Sequence, residues 1–303
     1  MSRAKISTVP GCCLATVALL AAMTLLASPV SHANSLDDIK GRGKLIVGVK
    51  KDVLLWGYQD PQSGVISGME VDLAQGLADR IGVKLEVVGL RSVERIDAIQ
   101  SGRVDVLIAT LSDTPERREQ LTMVMPHYYS SGVNLLARKE ENFREWMQLK
   151  NRKICGRRGS FYNRPVTVKY GADIVAFHSL DWATQAVRDG RCSALIYDDT
   201  AIAALLLKPE WSSSFEMPMT TIFATPWAIA IARTEAGGPL DKMLSSAVIA
   251  WHRDEHLIRI EQKWKIPATA FLRNMRAVWT KKSPDGKWFC GSEVTPATPP
   301  ECL

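Results

Sequence analysis

Hydrophobic positions along this chain change period in a regular order, and that order predicts its elements. Lys44-Leu45-Ile46-Val47-Gly48-Val49 is a β-rich run bounded by glycine and predicts a strand. Gly64 and Gly68 bracket a turn. Over residues 70–81, Leu73, Ala74, Leu77, Ala78 and Ile81 recur at helical spacing, and Gly82 stops the helix. Val83, Leu85 and Val87 then alternate as a strand, 96–99 predicts a short helix, and 104–109 predicts a buried strand. A β-α-β-α-β order of this kind implies a parallel sheet covered by helices on both faces. The same grammar restarts later, with strands at 153–155, 174–177 and 194–197 and helices at 182–187 and 201–207. After Ile266 the texture changes: Pro267, Pro284, Pro296, Pro299 and Pro300 predict an irregular extension over 266–303.

The N-terminus adds an address. Arg3 and Lys5 precede an apolar run over 14–27, followed by Ser31-His32-Ala33, the three parts of a secretory signal peptide cleaved after Ala33. Cys12 and Cys13 precede the apolar run, where a lipid-acceptor cysteine would have to follow it. Removing 1–33 takes Arg3 and Lys5 from the 38 basic residues and nothing from the 32 acidic ones, so the mature chain carries a net +4. That mild excess in an exported protein argues against a nucleic-acid role. Cys155, Cys192, Cys290 and Cys302 remain and form no CxxC pair, which argues against a metal site. Three pairings are open in an oxidising compartment. Cys155–Cys192 would join two predicted strands of one unit, and Cys290–Cys302 would staple the tail; four free thiols are the alternative.

In doubly wound sheets ligands sit beyond the carboxyl ends of strands. The first unit's loop at that position is Thr110-Leu111-Ser112-Asp113-Thr114-Pro115-Glu116-Arg117, which combines hydroxyls, backbone N–H groups and a guanidinium at a helix start. A planar guanidinium binds a carboxylate bidentately. Ordinary capping by Thr114 is the rival reading. The second unit places Tyr197-Asp198-Asp199-Thr200 after a strand; Asp198 suits an ammonium, and Asp199 suits a helix cap. Arg157-Arg158-Gly159-Ser160-Phe161 is a third loop, with Ser160 a donor or cap. Gly41-Arg42-Gly43-Lys44 precedes a strand instead of following one, so it is not a phosphate loop.

Several segments carry a resemblance: 44–49, Gly68-Met69-Glu70-Val71-Asp72-Leu73-Ala74, 99–105, Ser112-Asp113-Thr114-Pro115-Glu116-Arg117, 126–132, 190–194 and Lys263-Trp264. In order and spacing the chain resembles the bacterial family 3 solute-binding proteins, periplasmic receptors of polar amino-acid ABC importers. The resemblance implies two doubly wound α/β lobes joined by two crossover strands, of the type II periplasmic binding-protein kind. It divides the chain into the signal peptide 1–33, lobe 1 over 34–136 and 225–265, lobe 2 over 137–224, and the extension 266–303. It implies that Arg117 holds an α-carboxylate with help from Ser112 and the backbone around Thr110, and that Asp198 takes the α-ammonium from the other lobe. It also implies a non-enzymatic, monomeric periplasmic receptor, without cofactor or metal, serving a membrane permease.

Departures from the family pattern soften the ligand's identity. Val53 stands at a position often aromatic, Leu54-Leu55-Trp56 replaces a Pro-Pro-Phe-like stretch, and the second clamp position falls at Ser92. The apolar clamp would then relocate to Trp56 or Phe161, with Trp56 equally readable as core. Arg91, Arg95 and Arg158 read as surface residues; were they in the cleft, an acidic or non-amino-acid carboxylate would suit it. Two rival functions remain: a cyclohexadienyl-dehydratase-like enzyme using Glu70 or Asp198, and an accessory protein of a periplasmic oxidoreductase system.

Overall fold

A computed structural model of the protein describes residues 36–303; the expected signal segment and its cleavage site lie outside the described residues. The first lobe opens with α1 (Leu36–Gly41) and β1 (Lys44–Lys50). A small ribbon follows: β2 (Asp52–Val53), β3 (Gly57–Gln59) and β4 (Ile66–Ser67). Next come α2 (Met69–Ile81), β5 (Lys84–Leu90), α3 (Arg95–Gln100), β6 (Val106–Ile108), α4 (Pro115–Arg118) and β7 (Leu121–Met123). The second lobe runs through β8 (Tyr129–Arg138), β9 (Lys153–Arg157), α5 (Asn163–Tyr170), β10 (Asp173–Phe177), α6 (Leu180–Arg188) and β11 (Ala194–Asp198). It ends with α7 (Asp199–Leu206), α8 (Pro209–Ser212), β12 (Phe215–Glu216) and β13 (Ile222–Trp227). The chain then returns to the first lobe as β14 (Ala230–Ala232), α9 (Pro239–Arg253) and α10 (His256–Lys263), and ends with α11 (Ala270–Thr280) and a short tail.

The first sheet has the order β5-β1-β6-β14-β7, with β5, β1 and β6 parallel. The second has the order β10-β9-β11-β8-β12, with β10, β9 and β11 parallel and β13 added beside β8. Each predicted strand and helix appears, because buried faces such as Leu73, Ala74, Leu77 and Ala78 of α2 follow the periods seen in the sequence. The crossovers differ from expectation. All of β8 belongs to the second sheet, so the first boundary lies before Tyr129 and not at 136. Antiparallel β8 and β13 form the connection, and Asp199 ties it together: its carboxylate accepts from Ser131 Oγ at 2.7 Å, Gly132 N at 3.1 Å and Thr221 Oγ1 at 3.0 Å. Asp199 therefore braces the crossover strands and does not cap a helix.

The C-terminal extension is not irregular throughout. Its first part is α11, whose Leu272, Met275 and Trp279 are buried and which packs on α9; the proline-rich composition on either side obscures this helical spacing. Cys290–Cys302 closes the tail over Trp279, and Cys155–Cys192 ties β9 to the approach to β11. Lys263 and Trp264 both donate to Asp72 of α2, at 2.7 and 2.6 Å, which seats the returning segment on the first lobe.

Candidate functional site

Every group that meets between the lobes leaves the carboxyl end of a parallel strand. From the first sheet, β1 delivers Lys50 and Asp52, β5 leads to Ser92, and β6 leads into 110–117. From the second, β9 delivers Arg157 through Tyr162, and β11 delivers Asp198. One pocket is lined from the first lobe by Ser92, Arg95, Thr110, Ser112 and Arg117, and from the second by Ser160, Phe161, Tyr162, Tyr197 and Asp198. The lobes approach so closely that it encloses about 10 Å³, room for about one water-sized sphere.

Arg117 is 8% exposed. Thr114 does cap α4, accepting from Arg117 N at 3.4 Å, and this cap aims the side chain inward instead of leaving it in solvent. Nη1 donates to Ser112 O at 2.6 Å, Nη2 reaches Gly159 O of the other lobe at 3.4 Å, and Cζ lies 5.9 Å from the Phe161 ring centroid. Burial and then the Arg95 charge push Arg117 down to about 9, so it stays cationic at neutral pH and gains from an anion. Asp198 stands at the start of α7 without capping it, which leaves its carboxylate on the pocket wall. Burial, then the charge of Asp199, push it up to about 7.

The loop at Thr110 is strained and fully engaged. Thr110 has φ +46°, rare for a β-branched residue. Its N–H donates to Glu70 Oε1 at 2.5 Å and its carbonyl accepts from Arg95 Nη1 at 2.8 Å. The expected backbone donor at Thr110 is therefore already used, although the residue lines the pocket. Glu70 also accepts from Tyr128 Oη at 2.9 Å and Lys50 N at 3.3 Å. Burial pushes its carboxyl up to about 7 against those hydrogen bonds.

Arg95 is a correction to the sequence reading: it is 3% exposed and inside the cleft. Its donors go to Ser92 O at 3.1 Å, Ala109 O and Thr110 O at 2.8 Å each, and Gly159 O at 3.4 Å. It holds loops in place and keeps little capacity for a ligand. Arg158 is exposed, as expected, and Arg91 pairs with Glu94 at the surface. Trp56 is also corrected: it is 0% exposed, packed against Tyr129 and Trp227 with ring centroids 4.5 and 4.8 Å away, and does not line the pocket. Its neighbours are the crossover aromatics, so it serves the core and not a clamp. Phe161 and Ser160 do line the pocket.

A second cluster escaped the sequence reading. Lys50 and Arg157 are 0% exposed and Asp52 is 7% exposed. Arg157 donates across the lobes through Nη2 to Asp52 Oδ2, and through Nη1 to Ser92 Oγ at 2.6 Å and Tyr197 Oη at 3.1 Å. Lys50 Nζ lies 3.0 Å from Asp52 Oδ1 and 3.1 Å from Ser92 Oγ. Burial and then the Arg157 charge hold Lys50 well below its ordinary range, with Asp52 opposing. Burial would raise Asp52, but Lys50 and Arg157 keep it below the usual carboxylate value. The available signal was position: Lys50 and Arg157 end the parallel strands β1 and β9, and Asp52 follows β1 by two residues.

The sequence model of the bacterial extracellular solute-binding proteins, family 3, matches residues 45–267. The chain belongs to that family. Among its relatives, the glutamine-binding protein of Geobacillus stearothermophilus is 31% identical over 174 residues, 56% of this chain and 66% of that protein. The L-cystine-binding protein TcyJ of Escherichia coli (strain K12) is 25% identical over 251 residues, 82% of this chain and 91% of that protein. In fold, the chain matches the cysteine-binding protein from Campylobacter jejuni with a TM-score of 0.70 at 22% identity, covering 76% of this chain and 92% of that one. The ancestral amino acid-binding protein AncCDT-1, a precursor of cyclohexadienyl dehydratase, matches with a TM-score of 0.66 at 25% identity, covering 76% and 98%. The fold is that of the type II periplasmic binding proteins, and the family is one of binding proteins.

Proposed function

We propose that this protein is a periplasmic receptor that captures an α-amino acid for an ABC importer, with Arg117 on the ligand's carboxylate and Asp198 on its ammonium. One observation carries the reading: opposite charges on opposite lobes line a single pocket, and Asp198 is not spent on its helix. A zwitterion bridging the two binds the approached lobes better than the separated ones, which is the condition for a ligand to favour closure. On binding, its carboxylate would replace the carbonyls of Ser112 and Gly159 as acceptor for the Arg117 guanidinium, a charge-assisted bond in place of neutral ones. The relatives named for glutamine and L-cystine support an amino acid as the ligand class, and the wider set of amino-acid transporter-binding proteins supports the importer role.

A dehydratase reading is weaker here. Glu70, a candidate acid for it, makes three hydrogen bonds to protein groups and stands outside the pocket lining. Calorimetric titration of the purified protein with the common amino acids tests the proposal. Saturable one-to-one binding without product, lost in Arg117→Ala, supports it. Turnover of prephenate or arogenate, or binding that survives Arg117→Ala, overturns it.

A further inference from the structure

Amino acids share the carboxylate and ammonium, so the rest of the cleft must choose among them. In this chain that remaining space is taken by its own side chains. Arg157 reaches from the end of β9 to Asp52 of the first lobe, and its other terminal nitrogen meets Ser92 and Tyr197, both of which line the Arg117–Asp198 pocket. The guanidinium thus stands behind two lining residues of that pocket, Ser92 and Tyr197, and ties them to Asp52. Asp52 in turn borders two adjoining spaces of about 460 and 230 Å³, which also share Tyr58 and Asp181. Lys51, Arg91, Arg188 and Lys208 also border them. A ligand side chain passing Ser92 and Tyr197 toward those spaces would run into the Arg157–Asp52 pair.

We propose that Arg157 is a specificity-determining residue of this site: it stands where a long ligand side chain would lie, and so restricts the protein to α-amino acids with short side chains. This rests on the amino-acid reading given above. The pairing is what makes the barrier firm. A buried guanidinium that surrendered Asp52, Ser92 and Tyr197 to make way for an alkyl chain would be left without partners, a costly exchange. Gly159 strengthens the closure, because its φ of +82° disfavours any side chain and a Cβ there would press to 3.0 Å from the Ser92 backbone at the interlobe contact. The same geometry predicts what removal of Arg157 creates. Arg157→Ala joins the pocket to the wider spaces and leaves Asp52 with Lys50 as its one remaining ion-pair partner, so a cationic ligand chain could take the place of the lost guanidinium.

The test is a calorimetric series of glycine, alanine, 2-aminobutyrate, norvaline, lysine and arginine against the wild-type protein and Arg157→Ala. The wild-type protein is expected to bind the short members and to lose about tenfold or more in affinity beyond 2-aminobutyrate, the scale on which a pocket rejects a group it cannot hold. Arg157→Ala is expected to raise the arginine-to-alanine affinity ratio by about tenfold or more, and to favour arginine over norvaline. Equal wild-type affinity for alanine and arginine overturns the inference and leaves the amino-acid reading standing, as does an unchanged ratio in the variant. Failure of every α-amino acid to bind the wild-type protein removes the functional reading and this inference with it. Should Arg157→Ala not fold, the wild-type series decides: a sharp length cut-off supports the role and a flat response overturns it.

Discussion

The two ends of the interlobe cleft hold similar charges and do different work with them. At one end Arg117 donates to backbone carbonyls, one of them a 3.4 Å contact across the lobes, and Asp198 keeps its carboxylate on the pocket wall. At the other, Lys50, Asp52 and Arg157 satisfy one another in a network that also takes in Ser92 and Tyr197. Charge alone therefore does not mark a binding site. What separates the two ends is whether a ligand can replace a weaker partner or must break a charged pair, and the second exchange is the expensive one.

The largest effect that would test this contrast is on stability. Asp52→Ala leaves Lys50 and Arg157 buried side by side without their shared anion, and is expected to cost about 3–5 kcal/mol in denaturant unfolding; a loss under about 1 kcal/mol would mean the network relaxes into solvent. Arg117→Ala is next. It should cost a ligand about 1.5–3 kcal/mol of binding and abolish the ligand-induced rise in melting temperature, with the protein alone shifting far less than Asp52→Ala does. Equal destabilisation by the two would erase the distinction between the ends. Gly159→Ala should destabilise the approached lobes by about 1–2 kcal/mol, since φ +82° and the Ser92 backbone both oppose a Cβ; small-angle scattering would report the wider spacing.

The smallest effect concerns Asp198, and its sign is informative. Burial pushes both Asp198 and Glu70 up to about 7 in the folded protein, against about 4 in the unfolded chain. Between those values the folded state holds more protons than the unfolded one, so their contribution to stability falls as pH rises from about 4 through about 7. Asp198→Asn relieves its share, and is expected to raise the melting temperature by about 2–4 °C above neutral pH while weakening amino-acid ligands more than simple carboxylates. Amino-acid affinity in the wild-type protein should run the opposite way, rising with pH through about 7 as the carboxylate forms.

Much of the fold was legible because periodicity is a local property. The α2 stripe and the two runs of parallel strands follow from residues close in sequence, whereas the pairing of Cys155 with Cys192, one of three open in the sequence, is given by the structure. The site was legible in part. Arg117, Ser112, Asp198, Ser160 and Phe161 stand in loops at strand ends and do line the pocket. Arg95 was misread and Trp56 left between clamp and core because a lone arginine or tryptophan carries no local mark of its destination; Arg95 turns inward to meet carbonyls of the loop after β6, and Trp56 meets aromatics more than 70 positions away. α11 was hidden by prolines that flank it without interrupting it.

By itself, then, the sequence determined the α/β grammar, its repetition in two units and the loop that carries Arg117, while it left the cysteine pairing open. Tertiary structure alone decided which charges are free and which are spent. Arg157 and Arg158 are adjacent and chemically alike, yet one is buried against Asp52 of the other lobe and the next is exposed. Arg157 is the last residue of β9 and Arg158 the first beyond it, but only the approach of the first lobe supplies the carboxylate that makes burying a guanidinium there tolerable.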